Sequence, residues 1–176
     1  RNKGIDYALD KYKNNDNTIV SVAILNTLEI PKLVNKIPDD VNLELNISCP
    51  NVGHKLCDTD IDKFLSDKRK WCIVKLAPNI PKETIDEYYK KGFRQFHCSN
   101  TLPVINGGLS GQTLIPYTTE NTKYIKSKYT DAKVICGGGI TCNNDIENYR
   151  ENGGDYYSIS TICFSPHKFI KLLFEL

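Results

Sequence analysis

Six strand patterns, each followed by a helix pattern, run along this 176-residue chain, and that alternation constrains the fold more than any other feature. Thr18-Ile19-Val20-Ser21-Val22-Ala23 is β-branched and apolar, as a buried strand should be. Residues 42–47, 71–76, 93–98, 133–136 and 156–159 read as further strands. Helices are predicted over 29–36, 58–65, 81–91, 118–129, 143–151 and 166–176. Pro81 suits a first helical turn and Gly92 a helix end. Repeated βα units imply parallel strands joined by right-handed crossovers. An open six-stranded sheet and part of an eight-stranded barrel both satisfy this pattern.

Composition narrows the setting. Twenty-three Lys and Arg against 21 Asp and Glu leave a net charge of +2. So balanced a charge gives no electrostatic footprint for nucleic acid or an anionic membrane. No apolar run approaches the ~18 residues that span a bilayer. Seven cysteines without a Cys-x-x-Cys pair argue against a zinc ribbon and for reduced thiols in a cytoplasmic compartment. His54, His97 and His167 lack ligand spacing, so they are expected to be structural or exposed, with no metal site. The chain starts at Arg1 and has no Met, which suggests a piece of a longer product.

Parallel α/β sheets bind ligands at the carboxyl ends of their strands. Asn46-Ile47-Ser48-Cys49-Pro50-Asn51 falls at such an end, because Pro50 stops regular pairing. Two carboxamides beside a thiol can grip a planar polar ligand while the thiolate acts as base or nucleophile. The plainer reading is a turn with a half-buried cysteine. Lys75 interrupts a strand expected to be buried on both faces. It must either meet an anionic ligand at the strand end or pair with a carboxylate such as Glu44. Ser99-Asn100-Thr101 follows the next strand and by itself would suit a helix cap. Gly107-Gly108-Leu109-Ser110-Gly111 and Gly137-Gly138-Gly139 supply backbone free to take φ > 0 and approach a ligand closely. Ser160-Thr161 ends the following strand. N–H groups at adjacent strand ends make an anion site, and in (β/α)8 barrels a phosphate commonly sits there. Gly-x-Gly-x-x-Gly is absent, so no dinucleotide fingerprint is present.

In this order, Asn46 to Asn51, Lys75-Leu76-Ala77-Pro78, Ser99-Asn100-Thr101, the Gly107 and Gly137 clusters and Ser160-Thr161 resemble the dihydroorotate dehydrogenase family. That resemblance implies an α/β fold, a (β/α)8 TIM barrel that binds FMN. Residues 1–176 would form one partial barrel domain of about six βα units, the family's strands three to eight. The family's first two strands would lie upstream, and the chain as given would not be a competent enzyme alone. The reaction implied is oxidation of dihydroorotate to orotate in pyrimidine biosynthesis. Cys49 matches the base that takes the C5 proton, and hydride passes from C6 to N5 of FMN. Asn46, Asn51, Asn100 and Thr101 match substrate contacts. Asn46, Lys75 and Ser99 match flavin contacts, with Lys75 at the pyrimidine end of the flavin. Gly111, Gly138, Gly139, Ser160 and Thr161 match the phosphate and ribityl contacts. A homodimer and an electron-transfer subunit are compatible with the resemblance, though no surface for either is legible. Only Leu102 to Asn106 separates Thr101 from the Gly107 cluster, shorter than in many family members. The rivals are another FMN barrel acting on reduced pyrimidines, similar to dihydropyrimidine dehydrogenase, and an inactive phosphate-binding relative.

Overall fold

The structure, a computed structural model, describes residues 3–47, 60–105 and 107–175. The predicted strands form one parallel sheet: β1 (Val20–Ala23), β2 (Leu43–Asn46), β3 (Cys72–Leu76), β4 (Gln95–Cys98), β7 (Lys133–Gly137) and β8 (Tyr156–Ser158). A two-stranded hairpin, β5 (Leu102–Val104) and β6 (Gly107–Leu109), is inserted after β4. Among the described residues the sheet order is β1-β2-β3-β4-β7-β8, with β1 and β8 at its edges.

Alternation along each strand sorts the two faces. Val20, Val22, Leu43, Leu45, Val74, Phe96, Val134 and Cys136 are buried on the face that carries the helices, each large apolar side chain contributing roughly 1.5–3 kcal/mol by leaving water. The other face carries Ser21, Glu44, Asn46, Lys75, His97 and Ser158. It is concave. Trp71, just before β3, meets Tyr156 of β8 edge to face at 5.0 Å between ring centroids. Three strand spacings span about 14 Å in a flat sheet, so the sheet curls to bring them together. The polar residues thus line the inside of an incomplete barrel.

Among the described residues there are six α-helices: α1 (Ile5–Tyr12), which precedes β1, and α2 (Ile30–Lys36), α3 (Lys82–Lys90), α4 (Ile115–Lys128), α5 (Asn143–Glu151) and α6 (Pro166–Glu175), which follow strands. Three expectations need correction. The helix predicted over 58–65 is a 3-10 turn, Ile61–Phe64, where described. Ile61 and Phe64 are both buried, and side chains three apart eclipse in a 3-10 helix. The Gly107 cluster is partly strand, because β6 pairs antiparallel with β5. The helix predicted from Thr118 starts at Ile115, with Pro116 in its first turn. Helix α1, unanticipated, packs Leu9 into the core.

Candidate functional site

Each strand that pointed to chemistry ends at the same rim. At the end of β2, Asn46 accepts a hydrogen bond from Asn100 Nδ2 at 3.1 Å. Asn100 follows β4 and is fixed there by its own N–H, which donates to Leu76 O at 2.9 Å. Its side-chain oxygen accepts from Thr101 N at 2.8 Å. Thr101 lies against Gly108 of the hairpin, where a Cβ would stand 2.6 Å from Thr101 Oγ1. The carboxamide pair therefore depends on β4 turning into the β5–β6 hairpin. The peptide between Cys98 and Ser99 is cis. Ser99 is buried, its hydroxyl 3.0 Å from that of Thr118, which in turn donates to Gly137 O at 2.9 Å. Cys49 and Asn51 lie outside the described residues.

Lys75 meets the carboxylate weighed for it, with Nζ 3.3 Å from Glu44 Oε1. Ser21 Oγ donates to the same oxygen at 3.0 Å, and His97 Nδ1 stands 2.6 Å from Glu44 Oε2. Burial pushes the Glu44 carboxyl up. The His97 hydrogen bond and charge, the Lys75 ammonium and the Ser21 hydroxyl outweigh it and hold the carboxyl at about 2. Glu44 is ionised at neutral pH, which offsets the burial of a lysine on this face. The His97 ring sits over Gly137, whose Cβ, if present, would be 2.8 Å from Nε2. A pocket of about 440 Å³ opens below, lined among others by Ser21, Glu44, His97, Trp71 and Tyr156.

The glycine clusters converge as well. Gly111, Gly138, Gly139, Ser158, Ser160 and Thr161 line one small pocket of about 40 Å³, together with Ile140 and Thr141. None of these residues is charged, so the pocket offers glycine backbone and hydroxyls. Gly139 is the tightest point. Its φ is 80°, and a Cβ there would stand 2.9 Å from Gln112 Cα and 3.0 Å from Gly111 O. Only glycine gives this close approach of two backbone segments without strain. Asp145, at the start of α5, does not line the pocket and accepts from Thr141 N at 2.7 Å and from Thr141 Oγ1 at 2.9 Å. A phosphate met by neutral donors fits this cradle. Among the described residues no group of three or more His, Cys, Asp or Glu could hold a metal ion, and no helix is long and apolar enough to cross a membrane.

No protein-family model matches the chain. Individual proteins do. The dihydroorotate dehydrogenase B (NAD(+)) catalytic subunit of Oceanobacillus iheyensis is 26% identical, over 98% of this chain and 66% of its own length. Its counterpart in Phocaeicola vulgatus is 28% identical, over 93% of this chain and 65% of its own. The chain is similar to dihydroorotate dehydrogenases over most of its length. A crystal structure of the Eimeria tenella DHODH in complex with ferulenol matches the fold with a TM-score of 0.64 at 18% identity, over 85% of this chain and 54% of that one. The chain spans about two thirds of the length of these curated relatives. Every described candidate residue lies at the strand-end rim or on the concave face below it. The sequence reading missed His97 as the second partner of Glu44.

Proposed function

We propose that this chain carries the flavin and substrate wall of an FMN-dependent dihydroorotate dehydrogenase. Residues 1–176 would belong to one FMN-binding barrel domain, acting in the cytoplasm on a small-molecule substrate. The observation that carries the reading is the convergence of Gly111, Gly138, Gly139, Ser160 and Thr161 on one uncharged pocket, at the rim where Asn46 and Asn100 meet. These five residues would hold the phosphate and ribityl end of FMN. Lys75, Asn46 and Ser99 would contact the ring. When bound, FMN supplies the acceptor for the hydride that leaves C6 of dihydroorotate.

The chain's own groups do the rest. Asn46, Asn51, Asn100 and Thr101 would orient the pyrimidine and its carboxylate by matched donors and acceptors. Cys49 would take the C5 proton as thiolate, a role that needs a thiol titrating near the working pH. Lys75, paired with Glu44, would stabilise negative charge developing at the ring. The free thiols of Cys72, Cys98, Cys136, Cys142 and Cys163 support a reducing compartment.

The test is anaerobic mixing of the flavin-loaded full-length protein with dihydroorotate in a stopped-flow instrument. Flavin absorbance near the visible maximum should bleach. In Cys49→Ala the flavin should stay bound and bleach at least about 100-fold more slowly, in the range that general base catalysis contributes. Equal rates would defeat the base assignment. Bleaching by a reduced pyrimidine lacking the carboxylate, but not by dihydroorotate, would defeat the substrate.

A further inference from the structure

We propose that His97 is a positioning residue for Lys75, acting through Glu44. It occupies one carboxylate oxygen so that the other holds the lysine ammonium in a fixed place on the concave face, just below the level of Asn46. The inference rests on reading Lys75 as the cation that faces the ligand.

Three adjacent strands build the arrangement. Asn46, Lys75 and His97 stand level with one another in the parallel register, and Glu44 lies one inward-facing position below Asn46. Glu44 Oε2 is taken by His97 Nδ1 at 2.6 Å, while Oε1 takes Lys75 Nζ at 3.3 Å and Ser21 Oγ at 3.0 Å. A lysine stem is flexible and its ammonium is a point charge without preferred direction. A carboxylate free to rotate would place it poorly. His97 removes that freedom from the second oxygen, and the short contact is of the charge-assisted kind. The ring is itself seated, because Gly137 leaves the space that a Cβ would take 2.8 Å from Nε2. His97 is only 7% exposed, so its place is set by packing and not by solvent. Tyr156 and Tyr157 are the other titratable groups lining this pocket, and neither has a hydrogen bond to Glu44.

The geometry requires a proton on Nδ1, since an ionised carboxylate can only accept. Long-range 1H–15N spectra of the wild-type protein at pH 7.5 should therefore show His97 Nδ1 protonated; a bare Nδ1 with the proton on Nε2 alone would overturn the proposal. The second measurement is the rate at which acetic anhydride acylates Lys75, read by peptide mass spectrometry against exposed Lys90 and Lys123. In wild type Lys75 should react several-fold more slowly than these references. Glu44→Gln and His97→Phe should each accelerate it several-fold. His97→Asn, whose amide nitrogen falls near the Nδ1 position, should restore the slow rate. The partly buried Lys126, paired with Asp155 at 3.1 Å on another face, is the folding control and should not change. Acceleration in Glu44→Gln but not in His97→Phe would mean that His97 only fills space, and the proposal would fall. If His97→Phe unfolds, Lys126 accelerates too, and the tautomer measurement decides. No flavin is needed for either readout, so a protein that binds no FMN would defeat the proposed function and leave this result standing.

Discussion

Replacing Glu44 with Gln should convert a pH-dependent contribution to stability into a constant loss. The folded carboxyl is held at about 2 against an ordinary value of 4.5. At about 1.4 kcal/mol per pH unit, that depression corresponds to roughly 3 kcal/mol. Some solvent reaches the pair, with 12% of the Glu44 and 22% of the Lys75 side chain exposed, which brings the expectation to on the order of 2–3 kcal/mol. Between these two values the unfolded carboxyl is protonated and the folded one is not. Unfolding therefore takes up a proton, and acid favours it. The contribution is fully present above about pH 4.5 and is lost as the pH falls toward 2. Urea unfolding of wild type and Glu44→Gln at intervals from pH 7 to pH 3 measures the difference directly. Other depressed carboxyls, among them Asp86 and Asp131, act equally in both proteins and cancel. The gap should be constant from pH 7 to about pH 5 and then shrink steadily. A gap that stays flat to pH 3 would refute the reasoning, since the carboxylate would then gain nothing from Lys75 and His97.

Two further outcomes follow from local geometry. Gly139→Ala places a Cβ 2.9 Å from Gln112 Cα at a φ of 80°, so it should destabilise the protein by about 2–4 kcal/mol from combined strain and overpacking, read as a lower urea midpoint. Among the described cysteines, exposed Cys163 should alkylate first with iodoacetamide at pH 8. Buried Cys136, whose thiol burial pushes up to about 11, should resist until the protein unfolds, as peptide mapping over time would show.

The strands were legible because nearly unbroken apolar runs such as Cys72 to Leu76, interrupted at Lys75, have few other uses in a chain of this length. The parts of the phosphate cradle were legible for a related reason. Gly138-Gly139 and Ser160-Thr161 follow consecutive strands of the sheet, and parallel strands bring consecutive ends together. Gly111 was harder to place, because it reaches the pocket only after the β5–β6 hairpin. The hairpin leaves little local trace, since Gly107 and Gly108 carry no strand preference. Helix α1 was missed although Ile5, Ala8, Leu9 and Tyr12 repeat at helical spacing, because a short segment without a side-chain cap gives a weak start signal. The His97–Glu44 contact joins residues 53 apart. It becomes visible only when strand register is known, and no local pattern contains it.

The central claim is that the glycine and hydroxyl pocket at the ends of β7 and β8 receives the phosphate of FMN. Equilibrium titration of the apoprotein with FMN and with riboflavin, followed by quenching of flavin fluorescence, tests it most directly, since the two ligands differ only in that phosphate. The account predicts FMN binding at least about 100-fold tighter, or about 2.7 kcal/mol, with the preference abolished in Gly139→Ala. Equal affinity for the two flavins would contradict it.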